Sequence, residues 1–203
     1  MKGFGTIIGL VYALALGGVL GLGLTWWATG SDFQLGAMRL GPWTAWPLAD
    51  PLGADRYNRA RIARSGDLPL GPGEGLAFTA REDSEGRALD GACRYRLAAM
   101  LPQARWWTIT LYDRSDNLAR NPSNRAGFTS AAVLRGEEGK VTVAVAPNSQ
   151  PGNWLPSSPG PMSLVLRLYD SPVSTGLATE FGAGRAVAVP AIERLDCATG
   201  DKT

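Results

Sequence analysis

Arg105-Trp106-Trp107-Thr108-Ile109-Thr110-Leu111-Tyr112-Asp113 alternates apolar and polar side chains with a period of two. Successive side chains of a strand point to opposite faces, so Trp107, Ile109 and Leu111 share one face, and Trp106, Thr108, Thr110 and Tyr112 the other. The first set suits a buried core and the second a wet or ligand-facing surface. Residues 163–170 repeat the pattern, with Leu164, Leu166 and Leu168 opposite Ser163, Val165, Arg167 and Tyr169. Val141, Val143 and Val145 in 141–146 supply a third apolar edge. Further strand-like runs cover 75–81, 94–99 and 192–195, each bounded by Gly, Pro, Asn, Asp or Ser. These runs predict a mainly β protein, an antiparallel β-sandwich of jelly-roll-like form over residues 75–203. At ~25 cal/mol per Å² of buried apolar area, three such faces sustain a domain of this size.

Upstream the chain changes character. No charged side chain occurs from Gly3 to Ser31, and the 22 residues 6–27 are almost wholly apolar. As a helix they span ~33 Å, against a hydrocarbon core of ~30 Å. Trp26 and Trp27 close the run, where amphipathic rings favour the membrane–water interface. Residues 1–30 therefore read as a retained transmembrane anchor. The alternative is a cleaved signal, since Ala13-Leu14-Ala15 has a small-x-small form, but cleavage there leaves an apolar terminus running to Trp27. A short head and a long tail suit a single-pass signal-anchor with the head in the cytoplasm and the C-terminal domain outside the cytoplasmic membrane. Lys2 on one side, and Arg39 offset by Asp32 on the other, add little to that orientation. Gly5, Gly9, Ala13, Gly17 and Gly21 recur every fourth residue and contain two GxxxG spacings, which let helix backbones approach closely. Four residues advance ~400°, so the stripe winds around the helix. It points to a partner beyond membrane lipid, either a second copy or another membrane protein.

Residues 31–74 form a Trp- and Pro-bearing lead-in. Within it, 54–64 reads as a short soluble helix kept wet by Arg56, Arg59, Arg61 and Arg64, ended by Gly66 and followed by the turn-rich 68–73. Gly71, Gly73 and Gly75 lack the strand and third-glycine spacing of a dinucleotide site. Cys93 and Cys197 are the only cysteines. In an exported domain they predict one structural disulfide, with two buried thiols as the alternative. Their spacing is no CxxC redox motif.

Composition removes other classes. The chain has 203 residues and no histidine, which excludes His-based triads and His metal sites. Twenty basic residues against 18 acidic ones leave no basic footprint for nucleic acid. Nothing in the sequence calls for a metal or a cofactor.

Arg94-Tyr95-Arg96-Leu97, Pro102 with Arg105-Trp106-Trp107-Thr108, Thr110 and Tyr112-Asp113, then Asn121, Arg125, Ser130, Asn153-Trp154-Leu155-Pro156 and Leu166-Arg167-Leu168-Tyr169 together resemble the DUF1214 family of bacterial envelope proteins. The resemblance runs from about residue 90 to 196, roughly half the chain. It implies a β-sandwich without a settled activity, often adjoining a DUF1254 module. No such module is legible in 31–90, so the resemblance implies a short, membrane-anchored form acting beside a separate DUF1254 protein.

Arg96, Arg105, Tyr112, Asn121, Arg125, Asn153, Trp154, Arg167 and Tyr169 form the candidate ligand-binding set. Arginine forks bind carboxylate or phosphate, and Trp and Tyr faces stack on sugars or planar rings. The competing role for these side chains is structural: strand arginines satisfy loop carbonyls, and 153–156 plugs a core edge. Arg167 and Tyr169, with Trp106, Thr110 and Tyr112, line one groove only if their strands are neighbours. Catalytic patterns are weaker. Ser115, Ser130 and Ser163 lack a histidine base and a GxSxG elbow, and 113–124 departs from a calcium loop at Leu118 and Asn124. Glu82 with Asp83, and Glu137 with Glu138, read as solvated turns. The sequence thus favours a non-catalytic, membrane-anchored periplasmic accessory or binding protein, a subunit or partner of a larger inner-membrane assembly. The alternatives are a carbohydrate- or anion-binding envelope module and a cell-envelope glycan hydrolase using carboxylates.

Overall fold

A computed structural model describes residues 2–30, 37–47, 56–66, 70–71, 73–172 and 188–197. The chain divides into two compact units, Met1–Leu35 with Pro51–Leu68, and Gly36–Asp50 with Pro69–Thr203.

The first unit holds helices α1 (Lys2–Ala28) and α2 (Arg56–Ser65). The 25 residues Phe4–Ala28 of α1 are long and apolar enough to cross a membrane, ~38 Å at 1.5 Å per residue. Their large apolar side chains, from Phe4 to Trp27, are exposed within the unit. Arg64, in the last turn of α2, is locked to the end of α1. Its Nη1 donates to the Trp26 carbonyl at 2.6 Å and reaches the Thr29 hydroxyl at 3.2 Å. The guanidinium carbon stands 3.6 Å from the Trp26 ring centroid. Gly66, at φ 69°, stops α2 by donating its N–H to the Ile62 carbonyl at 2.9 Å, a left-handed cap that glycine adopts without Cβ strain. Residues 54–55 of the expected helix lie outside the described residues.

In the second unit the described residues form, in chain order, β1 (Met38–Leu40), β2 (Trp43–Ala45), β3 (Gly75–Ala80), β4 (Cys93–Ala99), β5 (Trp106–Asp113), β6 (Gly127–Thr129), β7 (Val141–Ala146), β8 (Asn153–Pro156), β9 (Met162–Tyr169) and β10 (Ala191–Cys197). One sheet runs β1-β2-β3-β9-β5-β6 and the other β10-β4-β7-β8. Between them lies a single core. Trp43, Phe78, Trp107, Ile109, Leu111, Leu164, Leu166 and Leu168 enter it from the first sheet, and Tyr95, Leu97, Val143, Val145, Leu155 and Ile192 from the second. The period-two reading of 105–113, 163–170 and 141–146 thus matches the burial: Trp107, Ile109, Leu111, the three leucines and the three valines all face inward.

Two features depart from expectation. The sandwich is not wholly antiparallel, because β8 runs parallel to β7, with Val143 opposite Asn153 and Ala146 opposite Pro156. Parallel neighbours normally need a long crossover. Here the chain returns by only about three residues, ~10 Å, which 147–152 can span. Asn153 then fastens the return: its Oδ1 accepts from Leu134 N at 2.7 Å, and its Nδ2 donates to the carbonyls of Leu134 and Thr142 at 2.8 and 2.9 Å. The second departure is the β1–β2 hairpin. It extends the larger sheet through Trp43↔Ala80 and Ala45↔Phe78, and buries Trp43 completely. Each strand has three residues, too few to show a period.

β10 closes the smaller sheet against β4. Cys93 and Cys197 face each other across this ladder and are disulfide-bonded. A bulge at Leu195, between Arg194 and Asp196, makes this register possible. One extra residue returns Asp196 to the outer face, where Glu193 already lies, and turns Cys197 toward Cys93. On that outer face Arg96 pairs with Glu193 at 2.5 Å and Arg94 with Asp196 at 2.6 Å.

Inside, β10 is tied down by a buried carboxylate. Asp83 is 1% exposed. Its Oδ1 accepts from the Glu85 and Arg87 amides, both at 3.0 Å, and its Oδ2 meets Arg87 Nε at 2.9 Å and Arg194 Nε at 3.0 Å. Arg194 also caps the Ala88 carbonyl and lies over the buried Tyr95 ring at 5.4 Å. Burial alone would raise the carboxyl's pKa. The Arg87 amide and guanidinium and the Glu85 amide outweigh it and hold Asp83 below the ordinary carboxylate value.

Candidate functional site

Strands β9 and β5 of the larger sheet are neighbours, paired Trp106↔Tyr169, Thr108↔Arg167, Thr110↔Val165 and Tyr112↔Ser163. Side chains two apart share a face, so all eight stand on the outer side of the larger sheet. Thr129 of β6 joins them opposite Thr108, Ala77 and Thr79 of β3 stand opposite Arg167 and Val165, and Thr44 of β2 lies opposite Thr79. Most of these residues are short. Trp106, Tyr169, Arg167 and Tyr112 rise from a floor of threonine, alanine and valine. Val165 is buried between Thr79 and Thr110, and Trp106 is 41% exposed.

Arg167 dominates the face electrostatically. It is half-buried on the middle strand, and its guanidinium carbon lies 5.6 Å from the centroid of the Tyr112 ring. Among the described residues no carboxylate or hydrogen-bond acceptor is paired with it. Most other strand arginines differ: Arg94, Arg96 and Arg194 each hold an acid, and Arg39 holds Glu82 at 3.1 Å. A guanidinium flanked by an aromatic ring and threonine hydroxyls, without an internal anion, presents donors to an incoming carboxylate or phosphate. At the end of the face Arg105 donates its backbone N–H to the Tyr169 carbonyl at 3.1 Å. Its side chain reaches Asp170 only loosely, at 3.8 Å, with both groups largely in water.

Of the nine candidate residues, the structure gathers Arg105, Tyr112, Arg167 and Tyr169 on or beside this face. The other five lie elsewhere. Arg96 is on the outer face of the smaller sheet with Glu193. Asn121 closes the 121–125 loop, accepting from Arg125 N at 3.1 Å and donating to the Arg125 and Ala119 carbonyls at 2.8 and 3.2 Å. Arg125 reaches the Trp154 carbonyl at 3.4 Å, and Trp154 Nε1 donates to the Ala146 carbonyl at 3.0 Å. With Asn153 on Leu134 and Thr142, this second group is bonded mainly to backbone. Trp106, Thr108 and Thr110 belong with the first group and were legible from the alternation of 105–113. Thr79 and Thr129 were not, since the pairing that brings them in spans long sequence separations.

Three of the described carboxylates are occupied structurally. Asp113 Oδ1 accepts from the Ser115 and Asn117 amides at 2.8 and 3.0 Å, Asp116 pairs with Arg81 at 3.3 Å, and Asp83 lies between two arginines. Glu137 and Glu138 are exposed in a short helical turn.

Comparison with one solved structure agrees with this fold. Residues 74–173 match the family DUF1214, described as protein of unknown function. That span contains all of the motifs of the sequence resemblance and begins earlier, taking in β3. No curated protein matches the chain. Among solved structures, the VPA0106 protein from Vibrio parahaemolyticus aligns over 70% of this chain and 36% of its own, with TM-score 0.57 and 22% identity. A putative uncharacterized protein from Burkholderia cenocepacia aligns over 62% of this chain and 30% of its own, with TM-score 0.40 and 16% identity. The chain spans about a third of the length of either protein.

Proposed function

We propose, with residues 74–173 as a DUF1214 domain, that this is a single-pass, membrane-anchored envelope protein. Its sandwich captures an anionic, ring-bearing ligand on the β5–β9 face and carries out no chemistry on it. Arg167 carries the reading, as a half-buried guanidinium beside the Tyr112 ring with no acid paired to it among the described residues. An acidic sugar satisfies both elements, its carboxylate meeting the arginine and its ring lying on Trp106 or Tyr169. Such a protein serves as an accessory subunit of an inner-membrane assembly, with the sandwich in the periplasm. The Cys93–Cys197 bridge supports that side, because structural disulfides persist in oxidising compartments. Calorimetry with uronic-acid oligosaccharides and their neutral counterparts tests the ligand class. The intact protein is expected to prefer the acidic series, and Arg167→Ala to weaken binding by tenfold or more, in line with ~1.5–3 kcal/mol for a charged hydrogen bond. The variant's melting temperature should stay close to the parent's. Equal affinity for neutral sugars, or an unfolded variant, counts against a site here.

The partner is proposed to meet α1. A Cβ added at Gly5, Gly9, Gly17 or Gly21 would touch nothing within 4 Å, so the space beside them is open to a second helix, from another copy or from a separate DUF1254 protein. Gly17→Ile with Gly21→Ile is expected to abolish association in a bilayer reporter assay. Undiminished association would place the contact elsewhere.

A further inference from the structure

Trp106 and Tyr112 stand at opposite ends of the β5–β9 face. Six residues of antiparallel strand separate them, ~20 Å at ~3.4 Å per residue. Arg167 starts between them, level with Thr108. Its guanidinium carbon lies 5.6 Å from the Tyr112 ring centroid, so the side chain runs lengthwise toward Tyr112 instead of straight outward. That course takes it over Val165, which is buried although it stands on an outward face. The charge is thus carried away from Trp106 and Tyr169, which face each other across the ladder. Along the strands it comes to lie roughly 12 Å from that pair.

The two ends of the face differ. At the Tyr112 end, Leu118 is bridged to Tyr112 and exposed beside it. Arg81 continues the outward-facing set of β3 after Ala77 and Thr79, and Asp116 lies in the turn after β5. Strand β9 runs between β3 and β5, so the Arg81–Asp116 pair, at 3.3 Å, reaches across its start, where Ser163 is buried. At the Trp106 end, Arg105 and Asp170 continue the alternation to the side opposite Trp106 and Tyr169. Their pair is loose, at 3.8 Å, and largely in water. The face is closed beyond Tyr112 and open beyond Trp106.

We infer that this face reads the end of a sugar chain. An oligosaccharide whose last unit is acidic sets that carboxylate on Arg167 beside Tyr112. It then runs along β5 and β9, so that a later unit lies on Trp106 and Tyr169 before the chain leaves into solvent. This rests on the acidic-sugar reading of the face, and gives the ligand a length and a direction. A uronic carboxylate is bonded directly to its own ring, so one sugar cannot meet Arg167 and also cover Trp106. Thr108, Thr110 and Thr129 offer hydroxyls to the units between. A unit carried past the acidic one would run into Leu118 and the Arg81–Asp116 pair, which makes the acid terminal.

Calorimetry on the full chain, in a detergent without a sugar headgroup, tests this with four probes. They are glucuronic acid, a glucose tetrasaccharide with one glucuronic acid at a chain end, the same tetrasaccharide with the acid internal, and the all-neutral tetrasaccharide. The end-acid form is expected to bind about tenfold tighter or more than glucuronic acid or the internal-acid form. Trp106→Ala should weaken the end-acid form by about five- to tenfold, the scale of one aromatic contact, and leave glucuronic acid unaffected. Trp106→Tyr keeps a ring and should restore most of that loss. Arg81→Ser with Asp116→Ser opens the closed end and should bring the internal-acid form up to the end-acid one. Glucuronic acid binding as tightly as the end-acid form overturns the length. End and internal acids binding alike to the parent overturn the direction. In both cases acidic sugars still outbind neutral ones, and the proposed function stands. Equal binding of the all-neutral tetrasaccharide removes that function and this inference together.

Discussion

Cys93→Ala with Cys197→Ala is expected to lower the unfolding free energy of the sandwich by about 4 kcal/mol, since closing a loop of ~100 residues is worth about 4.7 kcal/mol in chain entropy. The two cysteines are 104 residues apart, so the bridge closes a loop spanning β4 to β10. Little else on the outer face of β10 replaces it. Its pairs Arg96–Glu193 and Arg94–Asp196 are exposed, with every side chain at 39% or more, and ion pairs of that kind contribute ~0–1 kcal/mol each. With total stabilities of ~5–15 kcal/mol for ordinary domains, the loss removes a quarter or more of what holds the sandwich folded. Denaturant titration of the detergent-solubilised chain, oxidised and reduced, measures it. Coincident midpoints with and without reductant would show that the bridge constrains nothing.

Asp83→Asn is expected to cost about 3–5 kcal/mol, the scale for removing one member of a buried ion pair. Asparagine can still accept the Glu85 and Arg87 amides but leaves Arg194, only 18% exposed in its side chain, without its counter-charge. The same carboxylate predicts a pH dependence. Its folded-state pKa lies below the ordinary 3.8, so the folded protein binds that proton more weakly than the unfolded chain does. The contribution is complete above 3.8 and falls away as the pH drops through the folded value. Stability measured by denaturant from neutral pH into this acid range should decline more steeply for the parent than for Asp83→Asn. Parallel curves would mean that Asp83 holds no charge that matters to folding.

Much of the sandwich was legible because its central strands are seven or eight residues long and buried on one side. In 105–113 and 163–170 the alternation is set by the pleat, which requires only local sequence. The β1–β2 hairpin, β6 and β8 are three or four residues long, below the length at which alternation differs from chance, and only pairing with distant strands defines them. The parallel turn of β8 likewise depends on Asn153 reaching Leu134 and Thr142. The candidate set split for the same reason. Arg167 and Tyr112 were recognisable as sharing faces within their own strands, but their adjacency depends on β5–β9 pairing between residues 49–63 apart in sequence. Asp83 gave no signal at all. Beside Glu82 it reads as a wet turn, and its burial follows from Arg194, which arrives 111 residues later.

The span shared with the family and the unit that folds are different things. Residues 74–173 carry seven of the ten described strands and omit β1, β2 and β10. A fragment trimmed to those limits would lose Trp43, whose Nε1 donates to the Pro190 carbonyl at 2.6 Å, joining one omitted stretch to another. It would uncover Phe78 and Ala80, strip β3 and β4 of their outer neighbours, and leave Cys93 a lone thiol. Two raw strand borders and a hole in the core are a recipe for sticky aggregates. Recombinant work on this fold should therefore cut ahead of Met38 and beyond Cys197, and treat the shorter match as a signature rather than a blueprint.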